Sequence, residues 1–104
     1  MEFEEQLIFI FFIRMINMNI YLVERTDKVD YDQYIGFVCI AESENQARHM
    51  NPTYDGEFDN NLYYNFNHPY ITDWVQDPNS LRVTKIGNTD FNQIKIVLYS
   101  YNAG

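Results

Sequence analysis

Residues 35–41, Ile35-Gly36-Phe37-Val38-Cys39-Ile40-Ala41, are uncharged and apolar on both faces of an extended chain. A run of this kind reads as a strand in the interior of a sheet, because an edge or half-exposed strand alternates apolar and polar positions. The whole chain has 104 residues, which argues for one domain built around that strand. Cys39 is the only cysteine, so an intrachain disulfide is excluded and the thiol reads as a small core hydrophobe.

The rest of the chain supplies the partners of that strand. Residues 19–25 alternate, with Ile20 and Leu22 on one face and Tyr21 and Val23 on the other, and read as the first strand. Residues 26–34 are polar and rich in turn formers, which predicts a loop. Ser43 with Gln46 three positions later is a capping box and predicts a short helix over 44–50, with Ala47 and Met50 facing the sheet. Asn51-Pro52 ends it, because the residue before proline avoids helical angles. Residues 53–79 have no clear period, although Phe58, Leu62 and Phe66 recur at helical spacing and suggest a turn or two of helix over 58–66. Asp77-Pro78-Asn79-Ser80 is a turn signal. Residues 81–86 predict a third strand, with Gly87-Asn88 as the turn after it. Residues 94–101 predict a fourth, with Ile94, Ile96 and Leu98 inward and Lys95, Val97, Tyr99 and Tyr101 on the other face. The third and fourth strands read as a closing hairpin. The expected fold class is α+β: a small antiparallel sheet of about four strands with one or two short helices.

An unbroken apolar run occupies residues 7–13. It is under half the ~20 residues a membrane span requires, and Glu2, Glu4 and Glu5 stand where a secretory signal carries basic residues. Two expectations remain open. Residues 1–17 are an apolar extension ahead of a native start at Met18, or they are native and bury the run as a strand, a helix or a homodimer contact. The domain proper is expected over 18–104, in the cytoplasm of a host cell.

Charge is unevenly placed. The chain carries 15 Asp+Glu against 7 Lys+Arg, a net charge of −8. Residues 27–77 hold ten acids (27, 30, 32, 42, 44, 55, 57, 59, 73 and 77) against Lys28 and Arg48, whereas residues 78–104 are mildly basic. Such a balance argues against non-specific binding to nucleic acid or anionic membrane, which needs a positive footprint, although less so for residues 78–104. It fits an acidic, aromatic face that meets a basic partner. The candidate contact residues are Asp27, Asp30, Tyr31, Asp32 and Tyr34 in the first loop, and Asp55, Glu57, Asp59, Tyr63, Tyr64 and Trp74 in the irregular stretch, since Tyr and Trp are favoured interface anchors.

Little points to catalysis. Asp55-Gly56-Glu57-Phe58-Asp59 opens like a calcium loop but has Asn60 and Phe66 where that loop requires Gly and Glu. His49 and His68 lack the spacing of a zinc site. Gly36, Gly56, Gly87 and Gly104 are too scattered for a phosphate-binding loop. No nucleophile stands in a recognisable triad. The reading is therefore not an enzyme, with no catalytic residue, no metal and no cofactor. The alternative is a small-ligand binder of nucleotide type, which would need Arg25, Arg48, Arg82, Lys85 or Lys95 to converge on phosphate.

Twelve Asn, eleven Ile and nine Tyr against three Ala suggest AT-rich coding DNA. The stretch from Met18 through Val29-Asp30-Tyr31-Asp32-Gln33-Tyr34 to Phe37-Val38 resembles small acidic accessory proteins of bacteriophages. So do Ala41-Glu42-Ser43-Glu44 with Ala47-Arg48, and the ending with Val83, Ile86-Gly87, Val97-Leu98, Ser100 and Asn102-Ala103-Gly104. The resemblance spans most of 18–104, is weakest over 53–72, and rests on strand and loop residues rather than a catalytic motif. It implies an accessory factor, a class that includes inhibitors of host defence such as anti-CRISPR proteins; the acidic face, for its part, points to a host protein with a basic surface, such as a nucleic-acid-binding effector. The resemblance transfers no site residues.

Overall fold

The computed structural model describes residues 18–103; residues 1–17, with the apolar run 7–13 and the contact expected of it, lie outside the described residues. Strand β1 is Met18–Arg25 and β2 is Gln33–Ala41. They pair antiparallel through a short loop, with Tyr21 opposite Cys39 and Val23 opposite Phe37. Those four side chains are buried and form one face of the sheet, while Ile20 and Leu22 lie half-buried on the other. The alternation of β1 and the interior placement of β2 thus both hold. Gly36 opposes Glu24 at a point where a Cβ would collide with the Val23 carbonyl oxygen, so only glycine lets the two strands approach there.

Helix α1, Glu44–Arg48, follows β2. The Ser43 side chain accepts from the Gln46 backbone N–H at 3.1 Å, as the capping box requires. The Gln46 side chain accepts from the Glu42 N–H at 2.6 Å, one residue before the cap. Ala47 and Met50 are fully buried. Arg48 reaches from the last turn to the carbonyls of Leu81 (2.6 Å) and Pro78 (3.0 Å), which ties the helix to the entry of the next strand.

Residues 58–66 are not helical. The reason is the side chains of Asp and Asn, which take up the backbone donors a helix would use. Asp55 Oδ1 accepts from the N–H groups of Glu57 and Asp59 at 2.8 and 3.0 Å, and Asn65 Oδ1 accepts from Asn67 and His68. Phe58 is left 91% exposed, while Leu62 and Phe66 rest against the core. Asp77 caps a 3₁₀ turn at Pro78–Ser80 by accepting from the Asn79 N–H.

Strand β3 is Leu81–Thr89 and β4 is Lys95–Asn102. The expected hairpin between them does not form. The sheet order is β3-β1-β2-β4, all antiparallel, so these strands lie on opposite edges. The connector 90–94 crosses the ends of β1 and β2, a span of three strand spacings or ~14 Å, which six residue steps of ~3.3 Å cover. Gly87-Asn88, expected as a turn, is paired inside β3 opposite Ile20 and Asn19.

Three register shifts each leave one residue unpaired: Ile86 in β3, Ile35 in β2 and Val97 in β4. A bulge turns its extra residue out of the ladder, which accounts for the exposure of these apolar side chains. The shift at Val97 also reverses the phase of β4. Ile94 and Ile96 face the core as expected, but Leu98 turns away and is 57% exposed.

The core lies between one sheet face and a second layer made of α1 and the irregular stretch. Tyr64, Trp74 and Val75 from that stretch are buried against Phe37, Cys39 and Ala41. Burial pushes the Cys39 thiol up to about 12, so it stays protonated at neutral pH. The native protein is expected to leave Cys39 unmodified by a thiol reagent at pH 8, and full reaction is expected once denaturant is added. Rapid native labelling would contradict this packing.

Candidate functional site

Two segments converge at the end of the sheet where β2 begins and β4 ends. The Tyr34 N–H donates to the Asp73 carbonyl at 2.8 Å, and the Gln33 side chain donates to the Thr72 carbonyl at 3.2 Å. These bonds fasten residues 72–73 to the first two residues of β2. The loop 26–32 closes on β4, with the Asp32 N–H donating to the Asn102 carbonyl at 2.6 Å and Asn102 Nδ2 donating to the Asp30 carbonyl at 3.1 Å. Asp32 holds a left-handed backbone, φ 59°, which aspartate tolerates better than most residues.

A cluster of tyrosines results. The Tyr34 ring meets Tyr99 at 5.3 Å and Tyr101 at 4.9 Å, both edge to face, and Tyr64 meets Tyr70 at 5.3 Å. Carboxylates surround these phenols. Burial first, and then the negative charge of Asp73, raises the Tyr34 phenol above its ordinary range. Burial and Asp59 do the same for Tyr70, and burial with Asp32 and Asp73 for Tyr101. The phenols therefore remain neutral hydrogen-bonding groups at neutral pH. A hollow of about 430 Å³ opens between Asp32, Tyr70, Asp73 and Tyr101. A separate groove of about 680 Å³ lies between residues 52–56 and β4, lined by Tyr34, Tyr54, Asp55, Lys95 and Tyr99.

The expected contact residues divide into three groups. Tyr31 (76% exposed), Asp30, Asp32 and Glu57 are open to solvent, and Tyr34 sits half-buried at the centre of the cluster. Others are engaged locally. Asp27 binds Arg25 through both oxygens at 2.7 and 2.9 Å, and that hydrogen-bonded cation holds its carboxyl below the usual range. Asp55 organises its own turn, where the N–H groups of Glu57 and Asp59 lower its carboxyl. Burial would raise the Asp59 carboxyl, but hydrogen bonds from Thr53, Asn51 and Asn61 outweigh burial and hold it low. The Tyr63 hydroxyl accepts from Gln46 Nε2 at 2.8 Å.

Tyr64 and Trp74, expected on the contact face, lie in the core instead. They are 3% and 1% exposed, and the Tyr64 hydroxyl donates to the Ile71 carbonyl at 3.0 Å. Both are core residues and cannot reach a partner without unfolding the second layer. The aromatic side chains at this end of the molecule come instead from Tyr70, Tyr99 and Tyr101, and a further carboxylate from Asp73. The Tyr99-x-Tyr101 spacing on one strand face was the available signal.

The basic residues do not converge. Arg25 is held by Asp27, Arg48 by Glu44 and two carbonyls, and Arg82 by Glu24. Lys85 and Lys95 lie on opposite edge strands. Among the described residues no group of three His, Cys, Asp or Glu is placed to hold a metal ion, and no helix is long and apolar enough to cross a membrane. Comparison with protein-family models, with curated proteins and with solved structures gave no match.

Proposed function

We propose that this protein is a non-enzymatic accessory factor of phage type that binds a host protein through its acidic, tyrosine-rich end and occludes a basic surface there. The observation that carries this reading is the clustering of Tyr34, Tyr70, Tyr99 and Tyr101 around Asp32, Asp59 and Asp73 in a chain with no Lys or Arg between residues 49 and 81. Neutral phenols on a scaffold fixed by backbone hydrogen bonds offer contact area at small conformational cost, and the carboxylates steer a positive surface onto them. A nucleic-acid-binding groove of a host defence protein is the chemical type that fits. The alternative, sequestration of a nucleotide, needs cations that converge on phosphate, and the separate engagement of Arg25, Arg48 and Arg82 favours the protein-binding reading.

Capture from host lysate tests it. The expected result is retention of a basic protein at low salt and loss of that protein at high salt, where exposed charges are screened within about 3–8 Å. Tyr31→Ala combined with Asp30→Lys is expected to weaken capture at least ~10-fold without loss of fold, since both side chains are exposed. Capture of nothing at either salt concentration, or capture indifferent to these substitutions, overturns the proposal.

A further inference from the structure

The edge strand β4 has the composition of an interior strand. Ile96-Val97-Leu98-Tyr99 is a continuous apolar run, yet no strand among the described residues pairs with β4 on its outer side. Val97 is 49% exposed, Leu98 and Tyr99 57% each, and Tyr101 39%, so side chains on both faces of the strand are exposed and, among the described residues, its outer edge is unpaired. An edge of this kind presents unpaired N–H and C=O groups to any other strand, and native sheets guard against that with charge. The opposite edge is guarded: β3 carries exposed Arg82 and Lys85, and Arg48 covers the Leu81 carbonyl. Residues 91–103 hold a single charged side chain, Lys95.

We propose that β4 is the contact strand of a symmetric dimer, in which two copies of the chain pair their β4 edges antiparallel and join their sheets into one. Charge placement argues for a second copy as the occupant. Lys95 stands at the start of β4, and Asn102 at its end is bonded to Asp30 and Asp32 of the acidic loop. Antiparallel pairing brings Lys95 of the second copy to this acidic end, twice over by symmetry. The same arrangement sends the two acidic ends to opposite sides of the dimer, which lets molecules of net charge −8 associate without opposing carboxylates. Parallel pairing would set acidic end beside acidic end.

The full-length chain tests this directly. Sedimentation is expected to give twice the 12.5 kDa chain mass. Leu98→Lys is expected to return the monomer with an unchanged far-UV circular dichroism spectrum, since that side chain is exposed in the single copy. Lys95→Glu is expected to weaken the dimer ~10-fold at low salt and less at high salt. Single cysteines introduced one at a time over 97–101 are expected to form an interchain disulfide at one position or two adjacent ones, the point where the symmetry axis crosses β4; the buried Cys39 does not compete. A monomer at millimolar concentration with no cross-link anywhere on β4 overturns the proposal, and so reads any other occupant of this edge, including residues 7–13 of the same chain. A dimer indifferent to both Leu98→Lys and Lys95→Glu overturns it equally.

Discussion

Trp74→Ala is expected to lower the stability of the protein by about 3–5 kcal/mol, the range for deleting a fully buried large aromatic side chain. Trp74 is 1% exposed and its ring lies 5.6 Å from that of Phe37, in the middle of β2. The irregular stretch that carries it contributes no strand to the sheet, so its position depends on the buried anchors Tyr64, Trp74 and Val75. Removing the largest of them leaves a cavity and loosens the second layer. The neighbouring Asp73, whose carbonyl accepts the Tyr34 N–H, moves with it. Denaturant midpoints followed by far-UV circular dichroism measure the loss, because this is the only tryptophan and its fluorescence disappears with it. Trp74→Phe separates volume from chemistry. Among the described residues the indole N–H has no hydrogen-bond partner, so replacing it with Phe removes a buried donor unpaired there and part of the ring, and a smaller loss of ~1–2 kcal/mol is expected. A Trp74→Ala loss below about 1 kcal/mol would mean that the second layer is not packed as described.

The behaviour of Trp74 also shows where a sequence is legible. The pairing of β1 with β2 was readable because it is written in alternation: Tyr21 and Val23 must face Cys39 and Phe37 if either pair is to leave water. Helix α1 was readable from Ser43 and Gln46, a local bond with a local signature. The edge order was not. Residues 81–102 contain two strands and a turn, and nothing local distinguishes a hairpin from a crossover; the outcome depends on which side of the β1–β2 pair each strand meets. Bulges at Ile86 and Val97 add single-residue shifts that reverse side-chain phase, which is why Leu98 turned outward. Trp74 was misplaced for a different reason. In a stretch rich in Asp and Asn an aromatic side chain resembles a surface anchor, yet here the Asp and Asn side chains bond backbone N–H groups, which lets the chain fold over its own aromatics. The candidate site inherits both difficulties. Its loop acids were visible one by one, but the tyrosines that gather them come from β4 and from residue 70, and only the sheet topology brings these together.

Asn51 shows the same effect at a single position, and Asn51→Asp is expected to destabilise by about 3–5 kcal/mol at pH 7, as for other uncompensated buried charges. In sequence Asn51 reads only as the residue that stops a helix before Pro52. In the structure it is fully buried and holds the turn 51–61 together. Its Nδ2 donates to Asp59 Oδ2 at 3.0 Å and to the Asn61 carbonyl at 2.8 Å, and its Oδ1 accepts from the Thr53 N–H at 3.1 Å. The Thr53 hydroxyl lies between Asn51 Oδ1 and Asp59 Oδ2, and its one proton serves either. A carboxylate at position 51 removes both amide donors and sets two negative groups within hydrogen-bond distance. Burial and the neighbouring charge raise the pKa of the new group above its unfolded value of about 3.9. A carboxyl raised in the folded state destabilises wherever it would ionise in the unfolded chain, so the charge part of the penalty grows as pH rises above ~4 and disappears below it, while the lost amide donors still count. Asp59 in the unmodified protein has the opposite sign. Its carboxyl is held low, so it contributes stability above the unfolded value, and that contribution is lost as pH falls through the folded one. Urea midpoints at pH 7 and pH 3.5 therefore converge for the two proteins, the unmodified chain weakening on acidification while Asn51→Asp recovers. Midpoints that stay equally far apart at both pH values would remove charge repulsion with Asp59 as the cause, and an Asn51→Asp protein as stable as the parent at pH 7 would remove Asn51 as the centre of the turn.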